Sequence, residues 1–477
     1  MENATFVVGT LLRTKEASPR QKKVYNVYAM TNEKKIELFE KKSIPAAVAQ
    51  LAVPTIVSSL IMVLYNLADT FFVGALNDPI ESAAVTLAAP VMLAFNAIIN
   101  LFGVGTGSFM SRALGKKDYE TVRNTSAFGF YMALIAASLY AILCTCLQTP
   151  LLRLLGADST TVEATLSYMF WTVSLGAVPS ILNVVLGNLI RSEGESLNAS
   201  IGTISGCILN IILDPIFILP QFLGLGATGA GIATFISNCV ACAYFLAFLI
   251  KKRGKTFVSL NPARFKFNKE IIVAVMSVGI PAAVQNLLNV TGMTVLNQFT
   301  SEFGADAVAA MGITHKINMV PMYVSMGLGQ GIMPLVGYNY AKGDYPRMKN
   351  AITFTAKISV GFILIATALY YVYAGPIITL FMKNESIVSY GSAFLRGFCL
   401  GLPFLCIDFL AVGIFQAVGM GKESFVFAIL RKIALEIPAL FILNKLWPLY
   451  GLSYSQLCAE LVLAVAAIWV LKKKEII

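Results

Sequence analysis

Runs of about twenty apolar residues recur along almost the whole of this chain, and they constrain its fold more than any other feature. As an α-helix, each run is long enough to cross the hydrocarbon core of a bilayer, which is about 30 Å thick. Of the 477 residues, 57% are hydrophobic and 13% are charged, about half the charged fraction of soluble domains. The sequence shows no long alternation of polar and apolar residues, which would indicate a membrane β-barrel. It therefore predicts an all-α polytopic membrane protein.

The net charge of +11 is distributed in a way that indicates membrane topology and not nucleic-acid binding. Basic residues fill every second polar gap between the apolar runs, as in 112–123, 251–269 and 342–349. The alternate gaps, such as 77–82 and 221–228, hold little basic charge. Because cytoplasmic loops of membrane proteins are enriched in Lys and Arg, this alternation places both termini in the cytoplasm. We therefore expect a multi-pass membrane protein with the lipid bilayer, and no nucleic acid, as its partner.

The apolar runs divide into twelve predicted spans, six on each side of a basic gap at residues 251–268. Their centres lie near residues 58, 95, 134, 172, 206, 238, 284, 322, 362, 400, 430 and 462. We expect a cytoplasmic tail without fixed structure over residues 1–40 and an N-terminal six-helix lobe over 41–250. The basic gap then forms a cytoplasmic linker, and a C-terminal six-helix lobe covers 269–477.

The two halves resemble each other in sequence. "GVGTGSFMSRALGKKDYETVRN" (103–124) aligns with "GLGQGIMPLVGYNYAKGDYPRMKN" (327–350), and both contain GxGxG followed by K-x-D-Y. Pro54 and Pro281 stand at equivalent positions in the first span of each half. Because each half has an even number of spans, the two copies have the same orientation in the membrane. Such repeats are typical of transporters, with the substrate path between the copies, and the glycines indicate close helix approach.

Three further motifs stand in a characteristic order: "YNLADTFFVG" (65–74), "GKKDY" (115–119) and "LNIILDP" (209–215). Together with the twelve spans, they resemble the multidrug and toxic compound extrusion (MATE) family, in its DinF-like, MepA-type branch. The resemblance extends from about residue 40 to the C-terminus. It implies two lobes around a V-shaped central cavity and a location in the bacterial inner membrane. It also implies export of amphipathic organic cations in exchange for H⁺ or Na⁺, with no cofactor, by a chain that we expect to be a monomer.

Two acidic residues within predicted spans, Asp69 and Asp214, are the strongest candidates for a functional site. A charge at the middle of a bilayer costs about 2.5–3.5 kcal/mol on insertion scales, so such residues usually face the protein interior and have a function. Asn210 lies one helical turn before Asp214, and Pro215 loosens the backbone beside it. Their oxygen atoms could bind a small cation, and a desolvated carboxyl could equally carry a proton.

The family resemblance gives these residues a common role, as a cation site within the N-terminal lobe. Asp69, Asn210 and Asp214 match that site directly. A threonine of the sixth span completes it in DinF-like members, and we assign this position to Thr234 in "GAGIATF". Apart from possible Na⁺ binding at these four residues, we expect no metal site.

Residues for the substrate cavity are predicted from their chemistry and their place in the spans. Polarizable and aromatic side chains suit a site that binds many flat cations, and an acid would attract them. The candidates are Met62, Tyr65, Asn66, Met311, His315 and Asp408. His315, the only histidine, is predicted to line the cavity or to be a surface residue, with the role of proton carrier as the alternative.

Two alternatives to an exporter of organic cations stay open at this point. The same fold could export or flip a metabolite or a lipid-linked substrate. Few basic residues lie in the predicted spans, which argues against large anionic head groups. A membrane enzyme is disfavoured, because the sequence contains no DDxxD or DxxxD motif for a diphosphate–Mg²⁺ site, no paired GxGD motif and no P-loop.

Overall fold

The computed structural model describes residues 35–76 and 78–477, apart from the side chain of Leu154. Twelve helical segments follow one another in this part of the chain. They are α1 (Ile44–Gly74), α2 (Pro79–Gly115), α3 (Tyr119–Cys146), α4 (Val162–Ser174 and Ala177–Ser192), α5 (Ser196–Ile218), α6 (Gly226–Lys251), α7 (Lys269–Ser301), α8 (Ala305–Lys342), α9 (Tyr345–Val372), α10 (Glu385–Val418), α11 (Gly421–Ile429, Leu430–Glu436 and Ile437–Leu446) and α12 (Tyr450–Lys473). Each predicted centre lies within one of these segments, which confirms the all-α fold of twelve spans.

Ten of the segments in the described chain are single helices that are long and apolar enough to cross a membrane. Segment α4 is an eleventh when its two parts, bent by 41°, are taken as one span. The twelfth, α11, is interrupted by the π-helical stretch Leu430–Glu436, which carries three charged side chains. π-Helical turns occur often at functional sites, and this one places charged side chains within a predicted span.

Two GxGxG motifs bring the six-helix bundles α1–α6 and α7–α12 close together, through the second glycine of one motif and the third of the other. A Cβ atom on Gly105 of α2 would lie 2.4 Å from the carbonyl oxygen of Val275 in α7. A Cβ atom on Gly331 of α8 would lie 2.6 Å from the Cα atom of Ala52 in α1. No side chain fits at these distances, so α2 packs on α7, and α8 on α1, through their backbones. The prediction that these glycines permit close helix approach is confirmed.

The last residues of the predicted N-terminal tail pack against the second bundle. Residues 35–40 form a helical turn before α1, and the earlier part of the tail lies outside the described residues. Phe39 is fully buried and stacks on Tyr338 of α8, with 4.8 Å between ring centroids. Arg347 of α9 donates from Nε to the Phe39 carbonyl oxygen, at 2.5 Å, and from Nη2 to that of Lys42, at 2.6 Å. A tail boundary at residue 40 therefore comes too late.

Glu193 ties the same helical turn to the connection between α4 and α5 and to the predicted linker. Its carboxylate is 1% exposed and accepts hydrogen bonds from the Phe257 N–H, at 2.6 Å, and the Thr256 hydroxyl, at 2.8 Å. Lys35 forms an ion pair with it at 2.8 Å. A buried carboxylate is stable only with such partners. Glu193 therefore fixes three chain segments at the basic end, which we define as the end of the molecule that carries the α2–α3, α6–α7 and α8–α9 connections.

We predict that the Phe39→Ala variant loses about 3–5 kcal/mol of the free energy of unfolding, because it leaves a cavity against Tyr338. The measurement is chemical unfolding of the purified protein in detergent micelles. Phe222→Ala is the matched control, since this side chain is 65% exposed and its loss should change stability by less than about 0.5 kcal/mol. Equal effects of the two variants would contradict the packing described for the basic end.

A second prediction concerns the pH dependence of the basic end. Burial raises the pKa of Glu40, whereas the hydrogen bond from the Tyr338 hydroxyl, at 2.8 Å, and the charge of Lys342, at 3.1 Å, lower it. The lowering is the larger effect, so the pKa of Glu40 lies below its usual value. The ionised carboxylate therefore stabilises the fold at neutral pH, and this contribution disappears as the pH falls through the lowered pKa. We expect Glu40→Gln to cost about 1 kcal/mol at pH 7 and nothing in acid, measured by unfolding across pH.

The prediction is wrong if Glu40→Gln and the unsubstituted protein differ as much in their free energy of unfolding at acidic pH as at pH 7. The charge of the carboxylate would then not be what stabilises this contact.

Candidate functional site

Three of the predicted cation-site residues meet between α5 and α6. Asp214 is completely buried, and Asn210 and Thr234 are 2% and 5% exposed. In the amide orientation that satisfies its neighbours, Asn210 donates from Nδ2 to Asp214 Oδ2 at 3.0 Å and accepts at Oδ1 from the Thr234 N–H at 3.1 Å. Because Asn210 and Asp214 are four residues apart, they lie on one face of α5. The structure therefore joins the two α5 residues and the α6 threonine in one hydrogen-bonded group.

Helix α1 supplies two further side chains to this group. Tyr65 and Asp69 are four residues apart on one face of α1, and both are partly buried. The Tyr65 side chain lies near Thr234, Asp69 and Asp214. The two carboxylates also interact electrostatically with each other. We call these residues the polar cluster: Tyr65, Asp69, Asn210, Asp214 and Thr234.

Small residues on α5 let the helices of the polar cluster approach each other. A Cβ atom on Gly206 would lie 3.0 Å from the Cβ of Ala241 in α6, and one on Gly202 would lie 2.3 Å from the ring of Phe245. One turn beyond Asn210, Pro215 has no N–H to donate, so the carbonyl of Ile211 lacks its usual helical partner. The cluster thus has two carboxylates, an amide, two hydroxyls and a backbone carbonyl, which together can bind a proton or a small hard cation.

Other polar side chains around the cluster were not found from the sequence. Asn238 of α6 donates from Nδ2 to the Thr234 carbonyl oxygen at 2.9 Å and accepts from Asn183 of α4 at 2.6 Å. Tyr168 of α4 is 4% exposed and lies within reach of the charges of Asp69 and Asp214. Asn238 could have been predicted, because it lies four residues after Thr234 and therefore on the same face of α6. The contacts from α4 had no local sequence signal.

The residues predicted for the substrate cavity are divided between the two bundles. On α1, Met62 is half-buried and Asn66 is exposed, beside Tyr65. On α8, Met311 is 1% exposed within an apolar group of the second bundle, and the ring of His315 lies 5.4 Å from that of Phe398. In the described part of the chain, His315 Nε2 has no hydrogen-bond partner. A shared cavity lined by these residues stays a prediction.

Asp408, the sixth cavity candidate, belongs to a buried network of charges in the second bundle. It is 1% exposed, and its Oδ2 lies 3.8 Å from Nη1 of Arg431 in α11. Arg431 also donates from Nε to Glu460 of α12 at 2.7 Å, and its guanidinium lies 4.8 Å from the Phe409 ring centroid. Asp408 is therefore an ion-pair residue in this structure. Its Oδ1 atom has no hydrogen-bond partner among the described residues.

Next to this network, Lys432 and Glu436 form an ion pair within α11, at 2.6 Å. The two residues are four apart, a spacing that favours such a pair on a helix. A Cβ atom on Gly292 of α7 would lie 2.9 Å from the Lys432 side chain, so the lysine stem runs along α7. The π-helical stretch of α11 thus turns Arg431 toward α10 and α12 and Lys432 toward α7.

We predict that Arg431→Met destabilises the fold by about 3–5 kcal/mol, because it leaves Glu460 and Asp408 buried without a counter-charge. Adding Glu460→Gln to this variant should restore part of the loss, since one uncompensated charge is then removed. The measurement is chemical unfolding of the purified protein in detergent. A double variant as unstable as the sum of the two single variants would show that the pair does not act as a unit.

Comparison with known families places the chain beside bacterial transporters. The model of the MatE family matches it twice, over residues 54–216 and 281–442. The multidrug export protein MepA of Staphylococcus saprophyticus is 33% identical over 430 residues, which are 90% of this chain and 94% of the relative. The multidrug export protein MepA of Staphylococcus aureus is 34% identical over 432 residues, with the same coverage.

Solved structures show the same similarity in three dimensions. One is described as an outward-facing conformation of a multidrug resistance MATE family transporter of the MOP superfamily. It superposes with a TM-score of 0.87 at 25% identity and covers 92% of this chain and 98% of its own. A MOP superfamily transporter from Pyrococcus furiosus, described as having a binding pocket of reverse polarity, gives a TM-score of 0.85 at 26% identity with the same coverage.

Proposed function

Because the chain belongs to the MatE family, we propose that it is a secondary active multidrug efflux antiporter of the bacterial plasma membrane. It exports amphipathic organic cations in exchange for H⁺ or Na⁺, with both termini in the cytoplasm. The observation that carries this proposal is the polar cluster, in which a completely buried Asp214 faces a second carboxylate. The names of the MepA relatives support drugs as the cargo.

The polar cluster needs a positive charge. The ion pairs of the described residues include neither Asp69 nor Asp214, so no lysine or arginine there neutralises the two acids. Two like charges in a desolvated site repel each other, and each strongly favours a proton or a cation as its partner. A mobile H⁺ or Na⁺ meets this need and is free to leave again, whereas a fixed basic side chain would hold the site in one state.

Ion and substrate transport are coupled because the coupling ion and the organic cation compete for the same two carboxylates. With H⁺ or Na⁺ bound, the negative charge of the cluster is reduced, α1 rearranges around Pro54, and the substrate leaves toward the outside. With the ion released, the two carboxylates become available and attract an organic cation into the cavity. Tyr65 and Asp69 sit on α1, so a change of charge at Asp214 acts on the helix that moves. Each ligand binds the two states with different affinity, which is the requirement for exchange.

We predict that Asp214→Asn abolishes gradient-driven uptake of ethidium into everted vesicles, which corresponds to efflux from the cell, whereas the unsubstituted protein transports. The reason is that a neutral amide cannot exchange a proton or bind Na⁺ with a carboxylate's affinity. Asp306→Asn is the matched control, because Asp306 is an exposed aspartate at the start of α8. The assay imposes a proton gradient alone and then a sodium gradient alone, and the gradient that drives efflux identifies the ion.

Two outcomes would contradict the proposal. Undiminished gradient-driven efflux by Asp214→Asn would exclude the polar cluster as the coupling site. Absence of efflux by the unsubstituted protein under either gradient would favour the alternative cargo, a metabolite or a lipid-linked substrate, on the same fold.

A further inference from the structure

A small cavity lies between the two bundles, away from the polar cluster. Its walls come from α2, α4 and α8, so both bundles contribute to it. It has a volume of about 40 Å³, room for a few water molecules or one small ion and far below the roughly 300–1,000 Å³ of a drug site. The lining residues are Gly103, Val104, Gly107, Ser108, Ser111, Asn188, Arg191, Ser192, Gln330, Met333 and Pro334.

Arg191 gives this cavity a positive charge that nothing in its walls neutralises. None of the eleven lining residues is acidic. The guanidinium donates from Nη1 to Asn188 Oδ1 at 3.0 Å, but its buried Nε has no hydrogen-bond partner among the described residues. The acid nearest in sequence, Glu193, is engaged with Lys35, Thr256 and Phe257. The Arg191 side chain is partly exposed, but its buried Nε is an unused donor, and a buried donor is costly unless a ligand supplies an acceptor.

The other polar groups of the cavity determine which donors are free. Three serine hydroxyls already donate to carbonyl oxygens: Ser108 to Gln416, Ser111 to Gly107 or Ser192, and Ser192 to Leu189. What remains for a ligand is the guanidinium of Arg191, the Nδ2 group of Asn188 and, from the opposite bundle, the amide of Gln330. One cation and two neutral donors around a cavity of this size form a site for a single small anion.

The backbone of α2 is shaped to admit the Asn188 side chain at this place. A Cβ atom on Gly103 would lie 2.6 Å from Asn188 Nδ2. Any other residue at 103 would therefore displace the amide that holds Arg191. The first glycine of this GxGxG motif thus serves the cavity, and the second serves the contact with α7 described above.

We propose that this cavity binds a small monovalent anion of the halide class, chloride in the cell, between the two bundles. Because Arg191 and Asn188 come from the first bundle and Gln330 from the second, the site is complete only while the bundles are in contact here. Bound halide therefore favours the arrangement seen in this structure over one in which the bundles separate at this point. The site is independent of the proposed exchange at the polar cluster.

The test is halide-dependent thermal stability of the purified full-length protein in detergent. Potassium chloride is titrated against potassium gluconate at constant ionic strength, since gluconate is too large for the cavity. We expect a saturable rise of Tm with chloride, because only the folded protein binds it. In Arg191→Gln, the half-saturating chloride concentration should rise at least about tenfold, since a charge-assisted hydrogen bond is lost.

Matched variants separate this site from general salt effects. Arg253→Gln removes an exposed arginine and should keep the full chloride response. Gln330→Leu changes the opposite wall and should weaken the response, which provides a second test if Arg191→Gln does not fold. Crystals grown with bromide should show anomalous scattering beside Arg191. A Tm that is the same in chloride and gluconate, or a chloride response in Arg191→Gln and Gln330→Leu equal to that of the unsubstituted protein, would overturn the proposal.

Discussion

The burial of Asp214 without a basic partner is the constraint on which the rest of this structure depends. Within a membrane a carboxylate can keep its charge only with a counter-charge and several hydrogen bonds. Asn210 supplies a hydrogen bond at 3.0 Å, and the helices around it supply hydroxyls, but none of the described ion pairs reaches the site. In the second bundle, the buried carboxylates of Asp408 and Glu460 have a counter-charge, because Arg431 forms ion pairs with both. One bundle therefore has a built-in counter-charge, and in the proposed mechanism a mobile ion supplies it in the other.

The contacts between the bundles combine close backbone approaches with apolar side-chain packing. At Gly105 and Gly331, α2 and α8 approach the backbone of the other bundle, and one apolar core includes residues of both bundles, such as Leu51 and Leu335. At the basic end, hydrogen bonds and ion pairs around Glu193 and Arg347 hold the bundles through a segment that precedes α1. Phe39, which is buried and stacks on Tyr338, adds an apolar contact, so polar and apolar interactions together close the basic end.

Much of this could be predicted from the sequence, because local spacing carries the information. The four-residue interval between Asn210 and Asp214 placed both on one face of α5, and the span centres followed from apolar length alone. The partners of Arg431 and Arg191 could not be predicted in this way. Each meets residues from helices distant in sequence, and their meeting depends on crossing angles and on a π-helical stretch that no short pattern encodes. The ion pair of Asp408 with Arg431 is one such contact, because its two residues lie on different helices.

Infrared difference spectroscopy of the carboxyl groups can show whether the polar cluster exchanges an ion for a substrate. Adding a cationic substrate should remove a protonated-carboxyl band, or adding Na⁺ should shift the carboxylate bands. In either case the change should disappear in Asp214→Asn and persist in Asp306→Asn. Spectra that respond to neither ligand, or that respond identically in Asp214→Asn, would contradict the conclusion that the polar cluster exchanges a coupling ion.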